Sequence, residues 1–264
     1  MTPYLVIQTQ MKKSIRLNKF LAQCKISELG KISRRSADQL ILAGKVKVNG
    51  KVVTTLGLLV DPEKDFIRVN DKHVKPDQTH IHLILNKPKK FIVSRVDEAG
   101  RPTVFNLLGK DGNRVVSVGR LDYNSEGLLL FTTDGWLINR LTHPKFKIQK
   151  IYQVKVKEKL TYDEVKHFQE GIVLDGKKTI PAGLKFLWAT GKNCWYKVLL
   201  CEGRQRQIRR MFEALGHFVL KLKRISYGPL NLRGLMLGQY RQLDPREVET
   251  LYALVGKGEV GIRK

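Results

Sequence analysis

The stretch Gly119-Arg120-Leu121-Asp122-Tyr123-Asn124-Ser125-Glu126-Gly127-Leu128-Leu129-Leu130-Phe131-Thr132-Thr133-Asp134-Gly135 decides how this chain is read. A short apolar run, Val115-Val116-Ser117-Val118, leads into it, and another, Leu128-Leu129-Leu130-Phe131, leads out. Short apolar runs bounded by turn residues read as buried strands. Asp122 is therefore expected on a polar, glycine-bracketed loop between two rigid elements, where catalytic groups tend to be placed. The alternative is a turn cap, since Asp commonly closes turns by bonding its own backbone. On the local sequence alone both readings stay open. The chain carries 49 Lys and Arg against 24 Asp and Glu, a formal charge of +25. A carboxylate presented on so basic a surface is an ion-pair partner or a nucleophile for something polyanionic.

A charge of that size repels itself unless a polyanion offsets it. Nucleic acid is the first candidate, because phosphate neutralisation with counterion release drives such binding. A membrane surface is the weaker reading: no long apolar run or basic amphipathic anchor stands out. Residues 1–10 resemble neither a signal peptide nor a spanning segment, so a cytoplasmic protein is expected. Cys24, Cys194 and Cys201 are too scattered for a disulfide framework or a Cys-x-x-Cys metal site. They read as ordinary thiols in a reducing compartment. His80 and His82 form a His-x-His pair without further ligands nearby in sequence, and are expected as two exposed strand residues, not a metal site.

With 264 residues, 42% of them hydrophobic, the chain can form one large domain or a small one plus a medium one. Residues 1–13 read as a loose basic arm. Ile15, Leu17, Phe20 and Leu21 suggest a short helix. Ser33 is a fitting N-cap for a second helix over residues 34–43, ended by Gly44, with Ala37, Leu40 and Ile41 at helical spacing. Lys45-Val46-Lys47-Val48 alternates like a strand, Asn49-Gly50 is a two-residue hairpin turn, and Lys51-Val52-Val53 returns. Residues 71–80 are polar, carry a proline and lack periodicity, as a linker would. The expected limits are 14–75 and 80–251 for the two domains, with 252–264 a basic tail. In the second domain strand-like and helix-like stretches mix without regular alternation, which indicates an α+β fold.

Downstream, Lys150-Ile151-Tyr152-Gln153-Val154-Lys155-Val156 reads as a strand with Tyr152, Val154 and Val156 on one face. In Glu202-Gly203-Arg204-Gln205-Arg206-Gln207-Ile208-Arg209-Arg210-Met211-Phe212-Glu213-Ala214-Leu215-Gly216, the positions Ile208, Met211, Phe212 and Leu215 give an amphipathic helix ending at Gly216. Arg206, Arg209 and Arg210 fall near another face, where Arg209 could simply pair with Glu213 at i, i+4.

Several of these segments carry a family resemblance. Gly-Arg-Leu-Asp at 119–122, Ser-x-Gly-Leu-Leu-Leu at 125–130 and Thr-x-Asp-Gly at 132–135 closely resemble the catalytic motif of pseudouridine synthases. The resemblance is to the branch that modifies ribosomal RNA, the RsuA and RluB/RluE/RluF group. Asn86-Lys87-Pro88 and Gly100-Arg101-Pro102-Thr103-Val104-Phe105 resemble the opening of that catalytic domain, although Lys89-Lys90 stand where the family usually shows a glycine. Residues 15–73 resemble an S4-like RNA-binding domain through Arg16-Leu17-Asn18-Lys19-Phe20-Leu21, Ser33-Arg34-Arg35 and Val46-Lys47-Val48-Asn49-Gly50-Lys51. Glu28-Leu29-Gly30-Lys31 lengthens the turn before Ser33 relative to that pattern.

The resemblance implies a small S4-like domain of helices plus a β-hairpin, then a mixed, mainly antiparallel β-sheet catalytic domain. It implies isomerisation of uridine to pseudouridine in ribosomal RNA, most closely large-subunit 23S rRNA. The N1–C1′ bond breaks, the uracil turns and C5 bonds to C1′, a reaction that requires neither cofactor nor metal. Asp122 would be the nucleophile or an electrostatic partner of the departing ribose. Tyr152 would stack on the uracil, which suits an unstacked base. Arg209 would ion-pair with Asp122 and favour its charged form, and Ile208 would pack against the base. Arg120 would fill the space left by the extruded base or hold a flanking phosphate. Arg206, where relatives often carry a histidine, and Arg210 would contact RNA. In the small domain Arg34, Arg35, Lys47 and Lys51 would face phosphates; an arginine at a helix N-terminus opposes the dipole, which an RNA contact would offset. A monomer is expected. The competing readings are a non-catalytic RNA-binding or ribosome-assembly protein, which would not need Asp122, and a synthase acting on 16S rRNA.

Overall fold

The computed structural model describes residues 14–77 and 79–256. The expected basic arm at 1–13 and the end of the tail, 257–264, lie outside the described residues. The chain divides into two compact units between His80 and Ile81.

The first unit follows its local signals closely. Strand β1 (Ile15–Arg16) runs into helix α1 (Leu17–Leu21), which buries Leu17, Phe20 and Leu21. Helix α2 (Arg34–Leu42) starts at Ser33, whose hydroxyl accepts from the Ser36 amide at 3.0 Å. The Glu28 extension folds as a small hairpin of β2 (Lys25–Ile26) and β3 (Gly30–Lys31), with Ile26 buried in the core. Strands β4 (Val46–Val48) and β5 (Lys51–Val53) pair across Asn49-Gly50, both left-handed at φ 51° and 83°, as a tight hairpin turn requires. Strand β6 (Leu59–Val60) pairs with β1, and β7 (Ile67–Val69) lies beside β4.

The expected linker is partly structured. Residues Lys72–His73 form β8 against β7, Val74 is buried, and Asp77 meets Lys31 at 3.1 Å. That stretch therefore belongs to the first unit, where Lys72 and His73 extend the sheet edge beside β7.

In the second unit, β9 (His82–Lys87) is buried along its whole length. A 3-10 segment, Val104–Asp111, and the short β10 (Val116–Ser117) precede β11 (Glu126–Thr132). Then follow α3 (Gly135–Thr142), β12 (Lys150–Lys157), α4 (Tyr162–Glu170), the hairpin β13 (Val173–Leu174) and β14 (Lys177–Lys178), β15 (Gly183–Thr190), β16 (Asn193–Leu200), α5 (Gln207–Glu213), β17 (Val219–Tyr227), β18 (Leu230–Asn231), β19 (Tyr240–Gln242) and α6 (Pro245–Leu254). Among the described residues these build a nine-stranded sheet in the order β15-β16-β12-β17-β11-β9-β19, with β10 on β11 and β18 on β17. Every pairing in it is antiparallel except that of β11 with β17. The fold is α+β with a mainly antiparallel sheet.

One face of this sheet packs Val154, Val156, Tyr196 and Val198 against Phe168 of α4 and Met211 and Phe212 of α5. Further along, Leu83, Leu85, Leu129 and Phe131 pack on Leu121. Their alternates Ile84, Leu128 and Leu130 are equally buried on the other face. There the expected tail is corrected: α6 continues through residue 254, and Tyr252 is fully buried, donating its hydroxyl to Asp134 at 2.6 Å. The His-x-His expectation is corrected too. His82 is buried and its Nδ1 pairs with the Thr132 hydroxyl at 2.9 Å, while His80 is half-buried and precedes the strand. The cause is that β9 is covered on both faces, so alternation does not expose either set.

Candidate active site

The loop carrying Asp122 joins β10 to β11, and its shape is set from below. Gly119 opens it at φ 73°, and the Ser125 amide closes a turn on the Asp122 carbonyl at 3.0 Å. Beneath it lies Lys87, the last residue of β9, fully buried. Its ammonium donates to the carbonyls of Ser125 at 2.8 Å, Pro88 at 3.0 Å, Asp122 at 3.1 Å and Tyr123 at 3.4 Å. Burial pulls this lysine down to about 8, while the charges of Asp122 and Glu126 pull the other way. Lys90 takes the left-handed conformation, φ 64°, where the family pattern has a glycine, and its amide donates to the Tyr123 carbonyl at 2.9 Å.

The far end of the loop is fixed by a close crossing. Gly127 pairs with Arg224 where β11 and β17 run parallel. A Cβ at Gly127 would stand 2.1 Å from the Arg224 carbonyl oxygen, and its φ is 107°, so only glycine fits. Asp122 emerges half-buried at an open cleft of about 720 Å³, lined also by Arg120, Arg101, Asp97, Tyr123 and Gln205. Arg101 pairs with Asp97 at 2.8 Å and lies 5.7 Å from the Tyr123 ring centre, which braces the cleft wall. Arg95, between the lining residues Ser94 and Val96, donates to the carbonyls of Gly112 and Val115.

The residues singled out in the sequence meet this site unequally. Arg120 is exposed at the cleft. Tyr152 is half-buried on β12 and packs against both core clusters, one containing Leu121 and the other Ile208. Ile208 is itself buried. The Arg209–Asp122 ion pair is not among the ion pairs of the described residues, nor is Arg209–Glu213. The Arg209 guanidinium instead donates to the Val219 carbonyl at 2.9 Å and to the Asn124 carbonyl, in the Asp122 loop, at 3.3 Å. Burial and the neighbouring Arg206 lower its proton affinity, and the charge of Asp122 raises it, so the two groups still feel each other.

Arg206 is an exposed left-handed N-cap of α5 and reaches Glu213 at 3.9 Å. Arg210 pairs with Asp175 of the β13–β14 hairpin at 2.6 Å. Likewise Lys47 is held by Asp71 at 2.7 Å, because β4 and the turn after β7 bring them together. Arg34, Arg35 and Lys51 are exposed. The residues that sequence reasoning missed are Lys87, Gln205 and the Asp97–Arg101 brace. The available signal was a lysine closing a strand with the apolar centre Leu83-Ile84-Leu85.

A family model described as RNA pseudouridylate synthase matches residues 81–214, and an S4 domain model matches residues 15–67. The chain is a member of the RNA pseudouridylate synthase family. It is 44% identical over 236 residues to "Ribosomal large subunit pseudouridine synthase B" of Bacillus subtilis, covering 89% of this chain and 96% of the relative. An uncharacterised RNA pseudouridine synthase of Aquifex aeolicus is 41% identical, over 92% of this chain and 95% of its own. Among solved structures, a crystal structure of a pseudouridylate synthase superposes with a TM-score of 0.64 at 31% identity, covering 90% of this chain and 99% of that one. The synthase is thus an isomerase with an N-terminal S4 domain. No helix among its described residues is long and apolar enough to cross a membrane.

Proposed function

We propose that this synthase converts a specific uridine of large-subunit ribosomal RNA to pseudouridine, with Asp122 as the nucleophile. The observation that carries the chemistry is the Asp122 side chain, presented at an open cleft from a loop whose carbonyls are tied down by Lys87, Lys90 and Arg209. A nucleophile held on so fixed a loop is preorganised. The large-subunit target is inferred from the curated relatives of that printed name.

In this reading the target base is extruded into the cleft and Tyr152 stacks on it. Asp122 attacks as the N1–C1′ bond breaks. The freed uracil turns, C5 bonds to C1′, and the C5 proton leaves while N1 gains one. Arg209 acts on Asp122 through its charge and by holding the Asn124 carbonyl, and Arg120 contacts the flanking backbone. The S4 domain grips RNA through Arg34, Arg35 and Lys51.

The test is pseudouridine mapping of both ribosomal RNAs in cells lacking the gene, with rescue by wild type and by Asp122→Asn. Loss of one large-subunit site, restored by wild type alone, is expected. An unchanged map, or rescue by the variant, would sink the assignment. Removing residues 1–75 should weaken RNA binding and flatten its salt dependence, since phosphate contacts set that slope; an unchanged slope would remove the S4 domain from RNA binding.

A further inference from the structure

The sheet of the second unit has a face that the proposed chemistry does not use. Val154, Val156, Tyr196, Val198 and Leu222 point into the core beside α4 and α5. Their neighbours along each strand must point the opposite way. Strand register then sets two rows across β17, β12, β16 and β15. The first row is Lys221, Lys155, Trp195 and Trp188. The second is Lys223, Gln153, Lys197 and Lys185. At strand spacings of about 4.8 Å each row spans roughly 14 Å.

These eight positions hold five lysines, two tryptophans and no acid, and the nearest acid in register is Glu126 of β11, beside Lys223 at the end of the second row. Lys185, Lys197, Lys221 and Trp188 are exposed. None of the five lysines is in an ion pair among the described residues. The two indoles stack at 5.6 Å with an interplanar angle of 27°, and the Lys155 ammonium stands 5.8 Å from the Trp195 ring. A bulge between Phe186 and Trp188 turns Trp188 onto this face.

Lysines on an edge strand guard against edge-to-edge pairing. That explains Lys185 on β15 but not the four lysines on interior strands. Unpaired cations set side by side repel one another, and a polyanion removes that repulsion. Exposed aromatic faces among lysines suit a single-stranded nucleic acid, whose bases stack while its backbone follows the charge.

We propose that this face is a second RNA-binding surface, on the side of the sheet opposite Tyr152 and α5, with the lysines on phosphates and Trp188 under an unpaired base. It rests on the reading that the substrate is ribosomal RNA and extends the footprint beyond the cleft.

The test uses the full chain and a deproteinised large-subunit rRNA transcript. In Lys185→Glu/Lys197→Glu/Lys221→Glu, affinity should fall about tenfold or more, and the slope of log affinity against log salt should shallow by about two, since each lost phosphate contact is worth roughly 0.7–0.9. The turnover number at saturating transcript should be unchanged. Lys166→Glu/Lys177→Glu/Lys178→Glu, an equal charge change at exposed positions elsewhere, should lose far less. Equal losses in both triples, or none in the first, would overturn the proposal. Trp188→Ala should weaken binding severalfold at high salt, where the lysines are screened; full retention there would overturn the stacking. Absence of pseudouridine formation by the wild type would instead count against the proposed reaction, so the two failures are distinguishable.

Discussion

The Asp122 loop and the lysine rows belong to one sheet, and they use positive charge in opposite ways. Under the loop, Lys87 is fully buried and its donors go to backbone carbonyls. On the opposite face Lys185, Lys197 and Lys221 are exposed and meet no acid among the described residues. A buried ammonium is costly unless every donor is taken, so it persists only where it fixes geometry. An exposed one is free to meet a partner in solvent. The same residue type therefore positions in one region and recruits in the other.

Gly127→Ala should break the first region outright. The added carbon would sit 2.1 Å from the Arg224 carbonyl oxygen. A loss above about 4 kcal/mol, the range of severe steric lesions, is expected, seen as insoluble protein or a collapsed melting transition. A variant that melts like wild type would mean β11 and β17 part easily.

Lys87→Met should come next. It leaves several carbonyls beneath the loop without a donor, and a loss of about 2–4 kcal/mol in chemical denaturation is expected. Isomerisation should fall while RNA affinity holds, because the lysine rows are untouched. Equal loss of both would dissolve the contrast between the regions.

The same lysine predicts a pH effect. Its folded value of about 8 lies below the ordinary 10.5, so between these limits the unfolded chain holds the proton more often. Stability from this group is therefore lowest below pH 8 and rises as pH climbs toward 10.5, by at most about 3 kcal/mol. Urea titrations of wild type and Lys87→Met from pH 7.5 to 10 should show the wild type gaining on the variant. Parallel curves would place the ammonium in a less buried setting.

The smallest effect should lie outside both regions. Ser33→Ala removes the cap on the Ser36 amide and should destabilise the first unit by about 1 kcal/mol. No change in its melting would show that α2 is held by packing alone.

Much of the first unit was legible because its signals are local. Ser33, Asn49-Gly50 and the alternation at 45–48 each act within a few residues, and each formed the expected element. The apolar runs around Asp122 and the helix carrying Ile208, Met211 and Phe212 were legible for the same reason. Partners were not. Arg210 and Lys47 looked free until Asp175 and Asp71 were brought to them, and His82 looked exposed until α6 covered it.

The sequence by itself determined the α+β class, the basic character, the family and the loop on which Asp122 stands. Only the tertiary structure decided that Lys87 lies under that loop, that Arg209 bonds its backbone rather than the carboxylate, and that five lysines from four strands share one face. The physical reason is register. Those arrangements depend on how strands far apart in the chain align, and a slip of one residue would turn every side chain of a strand to the other face.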